Sequence, residues 1–598
     1  MSSRCTAMDA ADQVMAVSEY DASHPQSPSS SSTLMPNESD IRNLSSSSTV
    51  AATGLPYVSS VQFKTPHEND LERNTNASIN NPILTPYYSR SSNDNNIKAH
   101  ERESVYDSSH EINYAQCSTP QSDPQHHIVR FEGPDDPTFA QNWPARKKYL
   151  TSLMLSLTTM VSVFTSSIFS TAISKVMSQY HISLEIGTLG VSLHVLGFAF
   201  GPMIWAPLSE LKGRRLIIVW PLLGFTIFQV GVAAAKDLQT IMICRFWGGI
   251  FGAAPIVTVA GIFADIFDNR TRGVALNVYS VIVFAGPLLS QFVGGFMVQS
   301  SLEWTWIEWL AAMLGFISFI TTLIFLEETY APAILVTKAN KLRHKTQNWA
   351  IHAKQEEIEV DLRQLFLNYF SRPLLMIFKE PIILFMSLYM SFIYGILYLF
   401  LTAYPIVFQR IHGMSPGVGG LPFLGVILGM TIGGSYLIIL QPSYNRKLAK
   451  NNNVNDPQWR LPPMITGGIA FAVGLFWFGW SGYTASIHWI VPTLSGLSTG
   501  FGLLVIFLQC QNYLIDAYLM FTASVMASHT LLRSIAGAGF PIFAPALFRS
   551  FLGIKWGCTL LGCVAVLLIP IPIFFSIYGT RLQARSSFNI RFDEKCSP

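Results

Sequence analysis

The chain has 598 residues, half of them apolar and only 13% charged, and its mean hydropathy is positive; a soluble domain carries about a quarter charged residues, so a wholly water-soluble chain is excluded. A formal net charge of +3 is too small to argue for a nucleic-acid partner. Seven cysteines, odd in number and without CxxC spacing, suggest neither a disulfide framework nor a zinc site.

Residues 1–140 hold runs such as SPSSSST and NLSSSS and no sustained apolar periodicity. Such a segment buries too little apolar area to offset its ordering entropy, so a disordered tail is expected. It also lacks the basic start and apolar core of a cleaved secretory signal. From Tyr149 onward, apolar stretches of the length a bilayer demands, about 20 residues, alternate with short polar breaks. Six spans are predicted near 149–173, 186–209, 216–235, 239–265, 273–298 and 304–326, within a first half of 145–326. Six more follow near 381–408, 415–440, 461–483, 487–514, 519–548 and 553–579, within a second half of 380–579. Between the halves, the polar segment 327–379 contains KANKLRHKTQNW and the acidic run QEEIEVDLRQ. The acidic run reads either as a short amphipathic surface helix or as solvated linker. Residues 580–598 form a short closing tail.

The segments that share a side with the N-terminus carry 24 Lys and Arg, against five on the other side. The positive-inside rule then puts both termini in the cytoplasm.

Charges within or beside the spans are few, and each is a candidate for function because charge in a membrane is tolerated chiefly where it is paired or wet. GPMIWAPLSELKGRR (201–215) runs from apolar span into Glu210, Lys212, Arg214 and Arg215. Glu210 faces the unfavourable end of a helix dipole and needs cationic or helix-N-terminal partners; Arg214, Arg215 and the start of the next span are available. Asp265, at the inner end of span four, is a candidate partner for one of those arginines. Otherwise the stretch is simply a basic loop. Arg245, bracketed by Gly248, Gly249 and Gly252, either faces the bundle interior or snorkels to the outer interface. In span five, Gly286, Pro287, Gly294 and Gly295 supply a kink and a close-packing face. Glu308 lies among Trp304, Trp306 and Trp309 at the start of span six, as an interfacial carboxylate or as an outer-cavity site for protons or cations. Asp516 reads as a second inner gate or as a helix-end salt bridge. His529 and Arg533 lie four apart on one helix face; the histidine is a candidate proton carrier or a core residue bonded to a neighbouring helix, and His194 reads the same way. Tyr389, Phe392, Tyr394, Tyr398 and Phe507 are candidates to line a cavity between the halves near the bilayer midplane.

Two six-span halves joined by a long polar linker resemble the major facilitator superfamily. Its members carry G-x-x-x-D/E-R/K-x-G-R/K-R/K between spans two and three. Ala206, Glu210, Gly213, Arg214 and Arg215 fall on that pattern, with Ala206 at the leading glycine and Leu211 at the first cation. ICRFWGGIFGAAP, with Arg245, fits R-x-x-x-G-x-x-x-A. VIVFAGPLLSQFVGG fits the end of the G-P-x-x-G-G element of proton-driven exporters through Gly294 and Gly295, while Ser290 and Gln291 stand at its Gly-Pro. RLPPMITGGIAFAVGLFWFGW (460–480), QNYLIDAY (511–518), ASVMASHTLLRSIAGAGFPIFAP (523–545) and EGPDDPTFAQNWP (132–144) are similar to the fungal twelve-span drug:H+ antiporters, and EWTWIEW (303–309) to their polyamine and multidrug exporter branch.

The resemblance covers about 132–585 and implies an all-α integral membrane fold of twelve helices in two pseudo-symmetric halves. It further implies a monomeric proton-coupled antiporter that exports drugs, toxic organic compounds or polyamines by alternating access. Its partners would be a small-molecule substrate, protons and the bilayer, with no nucleic acid, metal or other cofactor. A gate of Glu210, Gly213, Arg214, Arg215 and Asp265 would latch the inner helix ends in one transport state. The expected location is the plasma membrane, with the vacuolar membrane as alternative. The altered span-five element keeps an importer or facilitator open, and the Ser-rich tail a transport-inactive nutrient sensor. No GK dipeptide occurs, so a phosphate-cradling P-loop is absent, and no extramembrane segment is large enough to house an enzyme's site.

Overall fold

The computed structural model describes residues 127–585 apart from 134–135, 358–361, 452–454 and 519–520. Most of the expected N-terminal tail, and residues 586–598 of the closing one, lie outside the described residues. The first half consists of α1 (Ala145–Tyr180), α2 (Leu184–Lys212), α3 (Arg214–Ala233), α4 (Leu238–Ile266), α5 (Asn269–Gln299) and α6 (Thr305–Phe325). The linker contributes α7 (Ala331–Thr346) and α8 (Leu362–Lys379). The second half consists of α9 (Pro381–Tyr404), α10 (Phe423–Lys450), α11 (Leu461–Ser481), α12 (Ile490–Ala517), α13 (Thr522–Arg549), α14 (Gly553–Leu568) and α15 (Pro570–Arg585). Twelve spans are long and apolar enough to cross a membrane: α1–α6, α9–α13, and α14 with α15 as one. The fold is therefore the all-α, twelve-helix one expected.

Local chemistry explains where helices start, stop and break. Ser183 caps α2 by accepting a bond from the Ile186 amide, and Asp237 caps α4 through the Thr240 amide at 2.8 Å. The eighth span, expected to end near 440, runs on to Lys450 with Pro442 inside the helix. The twelfth, expected as one helix, breaks at Ile569, because Pro570 has no N–H to give and its ring crowds the preceding turn. In the linker, the described part of the acidic run contributes to a short turn at Lys354–Glu357 and to the start of α8, and residues 358–361 between them lie outside the described residues.

Trp220, Ile227, Ile439 and Leu567 are among many large apolar side chains exposed on the bundle's outside. Such a surface is an aggregation hazard in water and is what lipid solvates. The halves meet along two seams, α2 with α13 and α5 with α10. On the α5–α10 seam, Asn277 Nδ2 donates to the Gly434 carbonyl at 2.8 Å. At its far end, a Cβ built on Gly295 would lie 2.4 Å from the Pro416 carbonyl oxygen, so only glycine allows that approach. α8 packs across the linker-side end of the other seam, with Ile377 in one apolar cluster with Met203 of α2 and Leu531 of α13.

Candidate functional site

Two charged constructions stand out, one at the linker-side ends of the first half and one buried within it. In the first, Gly213 (φ 93°, ψ 163°) takes the chain from α2 into α3 with no intervening loop. That turn leaves α3 with no capping side chain of its own and its first amides in need of acceptors. They find Glu328, just beyond α6. Its Oε1 accepts from the amides of Arg214 (2.8 Å), Thr329 (3.1 Å) and Tyr330 (3.0 Å), and its Oε2 from the Arg215 amide at 3.1 Å. Glu328, which the sequence did not single out, is thus the acceptor at the start of α3, whereas Glu210 lies in the last turn of α2. The Glu210 and Leu211 carbonyls are instead met by Gln355 Nε2 at 3.3 and 3.2 Å.

The guanidinium of Arg214 turns back under α2 and α4. Its Nε lies 3.4 Å from Asp265 Oδ2, its Nη1 donates to Ser209 Oγ at 2.7 Å, and its face rests 5.0 Å from the Tyr330 ring centroid. Ser209 in turn donates to the Ala206 carbonyl at 2.8 Å. Gly261 makes room for the cation, since a Cβ there would come 2.9 Å from Arg214 Cζ. Arg215 Nη2 donates to the Leu323 carbonyl on α6 at 3.0 Å. Burial, and then the charge of Glu210, push the Tyr330 hydroxyl above its ordinary range. Gly213 is doubly required: its φ and ψ lie where L side chains are strained, and a Cβ would sit 2.5 Å from Glu328 Oε2. Gly213→Ala should lower stability by about 1–3 kcal/mol. An unchanged thermal midpoint of the purified full chain would contradict this placement.

A strap before α1 holds the linker helix α7. Asp136 accepts from the Thr138 hydroxyl (2.6 Å) and from the amides of Thr138 (2.9 Å) and Glu132 (3.1 Å), and these bonds hold its carboxyl well below the usual range. Lys338 of α7 reaches Glu132 at 2.8 Å and Asp136 at 3.5 Å.

The second construction surrounds Arg245. Its side chain and that of Glu308 are fully buried, with Nη1 3.3 Å from Glu308 Oε1. Nε donates to the Gly190 carbonyl, Nη1 to that of Thr165 and Nη2 to that of Ser166, each at 3.1 Å, and the cation lies 4.7 Å from the Phe169 ring centroid. The snorkelling alternative is thus excluded, and the interfacial reading of Glu308 is corrected: nearby Trp306 is exposed, whereas Glu308 is buried and turned inward to Arg245. Trp304 packs edge-on against Phe169 and donates Nε1–H to Gln179 at 2.6 Å. The Ser166 hydroxyl shares a 2.9 Å hydrogen bond with Tyr398 of α9, so the pair's shell reaches the second half.

In span five, Ser290 and Gln291 join α5 to α1. Ser290 Oγ lies 2.9 Å from Ser167 Oγ, and Gln291 Nε2 donates to the Ser167 carbonyl at 3.0 Å. α5 runs as a continuous helix through Gly286 and Pro287, and Ser290 donates to the Pro287 carbonyl at 2.6 Å. Gly286 and Gly294 admit Met160 and Thr171 of α1 as close neighbours.

The remaining candidates separate. Asp516 forms the helix-end salt bridge, 3.0 Å from Arg460 Nε. His529 is buried with Nδ1 3.4 Å from Ser387 Oγ of α9. His194 packs edge-on against Phe198 and Phe225. Arg533 is 7% exposed and pairs with no carboxylate among the described residues. Its guanidinium lies 4.9 Å from the Tyr394 ring and 5.2 Å from the Phe507 ring, and Phe284 of the first half packs edge-on against Phe507 at 4.5 Å. Each such face is worth about 0.5–2 kcal/mol, less than the several kcal/mol of burying a cation. Tyr389 and Phe392 are buried in α9.

The family model described as Major Facilitator Superfamily matches residues 155–541. The chain is 46% identical over 465 residues to the uncharacterized transporter C36.03c of Schizosaccharomyces pombe, over 78% of this chain and 86% of that protein. It is 43% identical over 464 residues to the major facilitator superfamily multidrug transporter FLU1 of Candida albicans, over 77% of this chain and 76% of that one. Among solved structures, the xylose transporter XylE from E. coli, in a partially occluded inward-open conformation, matches with a TM-score of 0.53 at 16% identity, over 72% of this chain and 98% of the other. That likeness is one of fold.

Proposed function

The chain belongs to the major facilitator superfamily, and from that membership we propose that it is a proton-coupled antiporter exporting drugs, toxic organic compounds or polyamines by alternating access. It is a multi-pass membrane transporter of small molecules and not an enzyme. In this reading it works as a monomer in the plasma membrane with both termini in the cytoplasm, the arrangement that the cation count favours.

The observation that carries the coupling is the buried Arg245–Glu308 pair. A proton delivered to Glu308, near the end of α6 remote from the linker, removes the charge that Arg245 faces. The guanidinium then keeps only carbonyls of α1 and α2. α2 also carries, at its other end, the Ser209 hydroxyl held by Arg214. One helix therefore links the proton site to the linker-side latch, and it lies on the seam with α13, so a change at one end biases how the halves meet. The multidrug function in the name of the FLU1 relative supports drug-type solutes.

Efflux of radiolabelled cycloheximide or spermine from loaded cells should collapse when a protonophore is added. Accumulation that persists in de-energised inside-out vesicles would refute the coupling.

A further inference from the structure

Arg533 is a buried cation that faces no carboxylate among the described residues. It sits mid-span in α13, and Phe284, Tyr394 and Phe507 bring α5, α9 and α12 around it. This is the meeting of the two halves, where a solute crossing by alternating access must pass. The contrast with Arg245 is chemical. Arg245 spends its donors on a carboxylate and three carbonyls. Arg533 is held by π faces alone, and its buried Nε has no partner among the described residues; nor has His529 Nε2, one turn away on the same helix face.

We propose that Arg533 anchors the anionic group of an aromatic organic anion, whose aryl body packs among Tyr394, Phe507 and Phe284. A guanidinium presents paired donors that match a planar or tripodal oxyanion, and it keeps its charge throughout the cycle. The same charge opposes a polyamine. The buried glutamates of the described residues offer such a cation no seat, because Glu308 faces Arg245 and Glu380 accepts from the Tyr518 hydroxyl. The inference rests on the export reading and narrows its substrate class.

The test uses the full chain in inside-out vesicles and three matched probes: 2-naphthalenesulfonate, which cannot cross as a neutral acid, neutral 2-naphthalenesulfonamide, and spermine. Wild type should prefer the sulfonate over the sulfonamide. Arg533→Gln should lower that preference about 30-fold or more, and Arg533→Lys should restore part of it. The ratio is taken within each variant, so a loss of folded protein does not mimic the effect. An unchanged ratio in Arg533→Gln, or no accumulation of the sulfonate by wild type, overturns the proposal. Gradient-dependent accumulation of spermine alone overturns it while leaving the export reading in place. Sulfonate accumulation that ignores the pH gradient, with the ratio still dependent on Arg533, leaves the anion site standing and overturns the coupling.

Discussion

Arg245→Leu is expected to remove about 3–5 kcal/mol of stability and all gradient-driven transport. The loss comes from what remains behind. Glu308 is fully buried and its charge is met by Arg245, so deleting the cation leaves a carboxylate in a low-dielectric bundle and three carbonyls of α1 and α2 without their donor. The double variant Arg245→Leu with Glu308→Leu should recover most of the thermal midpoint, because apolar replacement of a whole buried pair is often neutral or stabilising. It should recover no coupled transport. Glu308→Gln should keep the carbonyl bonds to Arg245 and the ability to exchange labelled for unlabelled solute, while losing accumulation driven by a pH gradient. Recovery of coupled transport in the double variant would show that the pair is structural only.

Glu328→Ala should be the most damaging single change on the linker side. One carboxylate accepts four backbone amides there and carries the turn at Gly213, and charged hydrogen bonds of this kind contribute about 1.5–3 kcal/mol each. Without it, the start of α3 loses its acceptor and Arg214 loses the frame that aims it at Asp265 and Ser209. A fall in transport of about tenfold, with protein still in the membrane, is expected. Glu328→Gln retains one acceptor oxygen and should fall between the two. Transport by Glu328→Ala at the wild-type rate would remove this residue from the gate and leave Arg214 and Asp265 to hold it alone.

The spans were legible because a bilayer imposes one length on every crossing helix, and the apolar runs of this chain have that length. Arg245 and Glu308 were each visible as an anomaly in apolar sequence. Their pairing was not, since α4 and α6 bring them together across 63 residues. Glu328 was hidden for a different reason: it reads as the second of two glutamates that open a polar linker. The signal that would have found it lies in α3, which starts as Gly-Arg-Arg with no Ser, Thr, Asp or Asn to cap it, so its free amides had to borrow an acceptor from elsewhere. α7 carried a similar sign, a proline in its first turn, but beyond the short apolar run Ile334–Val336 it is dominated by cations and polar residues and has no apolar face strong enough to announce a helix. The break at Ile569 was readable from Pro570 and Pro572.

In the proposed cycle, solute and protons move in opposite directions through one transporter governed by Glu308. The direct measurement is proton movement reported by an entrapped pH-sensitive dye in proteoliposomes of the purified full chain. The solute is whichever of cycloheximide, spermine or 2-naphthalenesulfonate it accumulates. Antiport predicts that adding the solute outside drives protons out of the lumen as solute enters, and that Glu308→Gln abolishes this flux while solute exchange continues. Solute uptake with no proton movement, with protons moving inward alongside it, or with a proton flux untouched by Glu308→Gln would contradict antiport through Glu308.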